Sequence, residues 1–121
     1  MADVLDDGAL ASLLAMVGDD PDFVDELIDE YLSDAPRQLA AMHAAMATAS
    51  AADLVRPAHT LKGTSLSVGA VQVAEACRSA EEMARLGDLD GARPYVIEAE
   101  TAFAAVGDAL SEARGRRWQP A

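Results

Sequence analysis

A single cysteine, Cys77, stands in the chain, so no intramolecular disulfide can form and no thiol cluster is available for a metal. Aromatic residues are nearly as scarce, at 4%. Apolar residues still make up 51% of the sequence, so any core must be aliphatic and rich in alanine. β-Branched residues are few and scattered, which argues against strands. No lysine or arginine precedes Arg37, so the amino terminus lacks the basic stretch of a secretory signal. The longest stretch without an acid, lysine or arginine, Gln38 to Ala52, is about 15 residues of mostly alanine, too short and too weakly apolar to span a bilayer. Bases are outnumbered, 9 against 21 acids, for a formal net charge of −12. That field repels a polyanion, so nucleic acid is not an expected partner. A cytoplasmic protein that neither binds nucleic acid nor enters a membrane is expected.

What remains is material for helices. The 121 residues suffice for one domain with one core, and Ala, Leu, Glu, Arg and Met are strong helix formers. Breakers divide the chain into five helical stretches. Residues near 3–17 carry Val4, Leu5, Leu10, Leu13, Leu14 and Val17 at amphipathic spacing and close at Gly18. Asp20 and Pro21 then supply a cap and a first-turn proline. Helical spacing continues through Phe23, Leu27, Ile28, Tyr31, Leu32, Ala35, Leu39, Met42 and Met46 to about residue 48. Pro36 is expected to kink this helix rather than end it. Ser50 followed by Asp53 resembles a capping box for a third stretch that ends at Val68 and Gly69. A fourth runs from Ala70 to Leu86 and stops at Gly87. Asp88 can cap the last, roughly 89–113, whose start Gly91 and Pro94 weaken. The reading is all-α: an antiparallel up-down four-helix bundle with a short additional N-terminal helix as a lid. The domain is expected over 1–114, with a flexible tail over 115–121.

The third stretch carries the chemistry. At 100° per residue, Leu54, Ala58, Leu61, Ser65 and Val68 fall within about 40° of one direction, which marks the core face. His59 then lies about 140° away, Gly63 about 180° and Lys62 about 80°. His59 is thus expected to face solvent, with a lysine one turn on and a glycine where a side chain would otherwise stand. Imidazole offers a neutral nucleophilic nitrogen near physiological pH and can attack phosphorus to form a phosphoramidate. A lysine at i+3 can follow the phosphoryl oxygens as a mobile point charge. Gly63 costs about 1 kcal/mol relative to alanine within a helix, which makes sense if something must approach the backbone there. No Walker loop and no acidic metal cluster appear, so donor and metal must come from elsewhere.

Ala58-His59-Thr60-Leu61-Lys62-Gly63-Thr64-Ser65, followed by Val68-Gly69-Ala70, resembles the signature A-H-x-L-K-G-x-[SA]…[LIV]-G-A of histidine-containing phosphotransfer domains. The likeness extends over nearly the whole chain, including Glu81 and Arg85, where the family often has polar or basic residues facing the site. It implies a phosphocarrier rather than an enzyme, with no cofactor or metal of its own. His59 would be phosphorylated, with Lys62, Gly63 and Arg85 as phosphate neighbours. Its partners would be a histidine kinase, hybrid or otherwise, and a response-regulator receiver domain. The receiver would supply the acceptor aspartate, the Mg²⁺ and a catalytic lysine. Docking in the family uses apolar surface around the histidine, and Val55 and Leu66, at about 100° and 120° on the wheel, would flank His59 there.

Two other classes stand beside this one. A binding module could use the same surface to sequester a receiver or kinase without transferring phosphate, and would not need His59. A bundle metalloprotein would need more than two histidines on different helices. His43 has no motif around it and is expected to be a packed or flanking residue. A monomer is expected, and the cognate partners are left open.

Overall fold

A computed structural model of the protein describes residues 21–116, and the expected N-terminal helix near 3–17 lies outside them. Four helices and no strand occur among the described residues: α1 Pro21–Ala47, α2 Ala51–Ser67, α3 Val71–Arg85 and α4 Leu89–Arg116. Each packs on the next and α1 also packs on α4, which closes the bundle. α1 starts on the expected proline and continues through Pro36. α4 runs past the expected boundary at 114, so Gly115 and Arg116 are helical rather than tail. No helix among the described residues is long and apolar enough to cross a membrane.

Three short connections, 48–50, 68–70 and 86–88, turn the chain in the same way. In each, the residue past the helix cap is left-handed: Ala49 at φ 53°, Gly69 at 77° and Gly87 at 76°. The next amide reaches back to a carbonyl in the last turn, Ser50 to Ala45 at 2.9 Å, Ala70 to Ser65 at 2.8 Å and Asp88 to Met83 at 2.9 Å. Glycine adopts that conformation without penalty, which is why the sequence signalled the second and third turns. Ala49 does so at a cost of about 1 kcal/mol, and gave no such signal. The next helix then starts on a side-chain cap in two cases. Ser50 Oγ accepts from the Asp53 amide at 3.2 Å, and Asp88 Oδ1 accepts from the Gly91 amide at 2.8 Å.

The core is aliphatic, as composition requires. Ile28, Met42, Leu54, Leu61, Leu110 and four valines are fully buried, and alanines from all four helices fill the space between them. The expected core face of α2 is buried throughout, from Leu54 to Val68. Pro57, which the sequence reading passed over, is buried there as well. Among the described residues the core holds one hydroxyl pair: Tyr31 of α1 and Ser65 of α2 hydrogen-bond at 2.7 Å. Burial, opposed only in part by that bond, pushes the Tyr31 hydroxyl up to about 12. Its ring also meets Phe103 of α4 edge-on, with centroids 5.8 Å apart.

Candidate phosphoryl-transfer site

α2 lies between α1 and α3 and turns its core face inward, so His59 emerges on the outside toward α3, with its side chain 61% exposed. Opposite it, Glu81 of α3 occupies the buried stripe that includes Cys77, Ala80 and Ala84, and is only 6% exposed. A carboxylate in that position loses most of its hydration and must recover it from donors. Three side chains provide them. His59 Nδ1 lies 3.0 and 3.2 Å from the two Glu81 oxygens, and Lys62 Nζ donates to Oε1 at 3.2 Å. Arg85, one turn along α3, donates to Oε2 through Nη2 at 2.7 Å and through Nε at 3.0 Å. Burial pushes the Glu81 carboxyl up. The hydrogen bonds from Arg85, Lys62 and His59 outweigh it and leave the group below the ordinary carboxyl range.

This settles the orientation of the imidazole. An ionised carboxylate only accepts, so Nδ1 must carry the hydrogen that it shares with Glu81. In the neutral ring the lone pair is then on Nε2, the nitrogen that points away from Glu81 into solvent. A base oriented by a buried carboxylate is a common device for presenting a nucleophilic nitrogen in one tautomer. The Cys77 thiol, one turn below Glu81, takes no part: burial first, then the charge of Glu81, push it up to about 12.

The residues singled out from sequence are distributed as follows. His59, Lys62 and Arg85 converge, and the group that joins them is Glu81. Lys62 is not the free point charge expected of it: its side chain is 27% exposed and bound to the carboxylate. Gly63 is exposed, and a Cβ built there would meet nothing within 4 Å. Leu66 is 54% exposed, whereas Val55 is half-buried and packs against the core, so only Leu66 offers an open apolar face. His43 is an exposed residue of α1 hydrogen-bonded to Glu100 of α4. The organising role of Glu81 went unread, although a signal existed. An acid four residues after Cys77 and four before Arg85 lies on the apolar stripe of its helix, where an unpaired charge could not stay.

No group of three or more His, Cys, Asp or Glu side chains among the described residues could hold a metal ion. No curated protein matches the chain. Three solved structures are similar over nearly its whole length. The crystal structure of histidine-containing phosphotransfer protein B (HptB) from Pseudomonas aeruginosa PAO1 is 35% identical, covers 96% of this chain and 98% of its own, and gives a TM-score of 0.87. The maize histidine-containing phosphotransfer protein ZmHP2 is 23% identical, with 96% of this chain and 88% of its own covered at a TM-score of 0.82. A putative histidine-containing phosphotransfer protein from rice is 22% identical, covers 93% and 80%, and gives 0.80. At such identities the two plant proteins speak for the fold alone. The family model for the Hpt domain matches residues 26–114, a span that starts in α1 and takes in α2, α3 and most of α4. An outward imidazole on a four-helix bundle, the family match and the likeness to HptB agree, and the chain belongs to the Hpt domain family, the phosphocarrying intermediates of two-component signalling.

Proposed function

We propose that His59 is the residue that carries the phosphoryl group, bonded through Nε2, and that the chain exchanges it with the aspartate of a receiver domain. The observation that carries this reading is the His59–Glu81 hydrogen bond, which leaves Nε2 as the exposed lone pair. In the forward step the Nε2 lone pair attacks the phosphorus of an aspartyl phosphate. The N–P bond forms, the P–O bond breaks, and the aspartate carboxylate leaves with the electron pair. The ring gains a positive charge shared with its Nδ1–H, and the Glu81 carboxylate lies against that charge as it develops. Running the same step in reverse delivers the group to a second aspartate. Open space beside Gly63 gives the phosphoryl group and the partner's loops room to approach. Leu66 offers the apolar contact, and the working unit is a monomer that meets one receiver at a time.

The test is phosphate uptake from a phosphorylated receiver, followed as acid-labile label. His59→Gln should fold like the parent, since an exposed side chain adds little to packing, and should take up none. His43→Gln should label fully. Uptake by the His59 variant would overturn the assignment, and an unaltered relay in cells carrying it would favour a binding module instead.

A further inference from the structure

The cations near His59 differ in what they are free to do. Lys62 and Arg85 are both engaged by Glu81, as are Arg78 by Glu75 and Glu82 and Arg93 by Asp90. Arg56, exposed on α2 one turn before His59, has no hydrogen bond or ion pair among the described residues, although Asp53 lies only three residues back. On the helical wheel Arg56 is about 60° from His59 on the side away from α3. Residues three apart on a helix have Cβ atoms about 5–6 Å apart. Helical side chains lean toward the N-terminus, so the imidazole of His59 lies over the turn that carries Arg56. Nδ1 is held from the α3 side, and Arg56 occupies the helix position one turn back on the opposite side of His59. Of the remaining charges, Arg37 of α1 comes level with His59. It is six residues on from Tyr31, as His59 is six back from Ser65, and those two are bonded. It lies across the groove on another helix.

We propose that Arg56 is the phosphate receptor of this domain: its guanidinium meets the phosphoryl group on His59 Nε2, while Lys62 and Arg85 remain with Glu81. A phosphoryl group brings about two negative charges and three acceptor oxygens, and a planar guanidinium can meet two of them at once. Moving Lys62 or Arg85 to the phosphate would instead strip donors from a buried carboxylate, which is unfavourable. Arg56 has no partner among the described residues to leave. This rests on His59 being the phosphorylated residue.

The experiment uses phosphoramidate as the phosphodonor, so that no partner is needed, and follows the phosphorus resonance of the full chain through a pH titration. A neighbouring guanidinium holds the last ionisation of the phosphoryl group down. Arg56→Ala should raise it by about half a unit or more, an effect limited by solvent screening. Arg56→Lys should recover part of the shift, and Arg37→Ala should leave it unchanged. Circular dichroism should show the Arg56 and Arg37 variants as helical as the parent, since those side chains are exposed. An unmoved ionisation in Arg56→Ala overturns the proposal, and all the more so if Lys62→Ala or Arg85→Ala moves it instead. Label that persists in His59→Gln, or that never enters the unaltered chain, is a different failure. It removes the phosphohistidine reading itself, and this proposal with it.

Discussion

The bundle carries the same set of residue types twice. On the α2–α3 face are a histidine, a glutamate from the adjacent helix and a helical glycine whose Cβ would meet nothing: His59, Glu81 and Gly63. On the α1–α4 face are His43, Glu100 and Gly107, in equally open space. The difference lies in the carboxylate. Glu100 is 34% exposed and its pair with His43 stands in solvent, where such contacts contribute little. Glu81 is buried and braced by Lys62 and Arg85, so its ionised state and its orientation are both fixed. A histidine beside a glutamate is therefore not a site. The burial of the acid, and the cations required to keep it there, make one of these two pairs a device for holding an imidazole in one tautomer.

That contrast can be broken most sharply at the glycines. Gly63→Ala and Gly107→Ala should each raise stability by up to about 1 kcal/mol, measured by thermal unfolding, because both exchange a poor helix former for a good one in free space. Only the Gly63 series should lose function, from Ala to Gln, approaching about 10²-fold in transfer rate if the reacting atoms are displaced by about 1 Å. Equal transfer rates in all of them would make both glycines incidental. At the carboxylates, Glu81→Gln should slow phosphorylation at least about tenfold by loosening the tautomer, and Glu100→Gln should not.

Docking provides a smaller effect. Leu66→Asp should weaken receiver binding by more than about 1 kcal/mol in calorimetry with little change in melting temperature. Val55→Asp is a poorer probe, since part of its side chain belongs to the core and its loss would show in both measurements. The smallest effect is in acid. Glu81 titrates below the ordinary carboxyl range in the folded chain, so its ion pairs stabilise the fold above that range. The contribution disappears as pH falls through the lowered value. The stability gap between the parent and Glu81→Gln should accordingly close below about pH 4. A gap that persisted there would mean that Glu81 acts by packing rather than by charge.

Much of this was legible in the sequence because the signals were local. Helical period, Ser50, Asp88, Gly69 and Gly87 located the three later helices, and the wheel placed Leu54, Ala58, Leu61, Ser65 and Val68 inward and His59 outward. The sequence was silent where contacts join distant residues. That Lys62 and Arg85 share one acceptor depends on how α3 is rotated against α2, which no spacing within either helix records. Val55 and Leu66 looked equivalent at about 100° and 120° because a wheel has no neighbours on it. The packing of α2 against the rest of the bundle half-covers one and leaves the other open. The turn at Ala49 was invisible for another reason: its left-handed backbone is imposed by the helices on either side, not by a residue that prefers it.

The buried hydroxyl pair has a consequence for helix translation. A slide of α1 along α2 by one turn would shift their register by about 5.4 Å. Tyr31 and Ser65 forbid it. A slide would separate two buried hydroxyls, at about 1–3 kcal/mol for each one orphaned. Their bond works as a detent that helps fix the longitudinal setting of the two helices. On one side of α2 that catch is Tyr31, and on the other it is Glu81. The helix that offers Arg56, His59 and Leu66 to a partner is thereby held at one height.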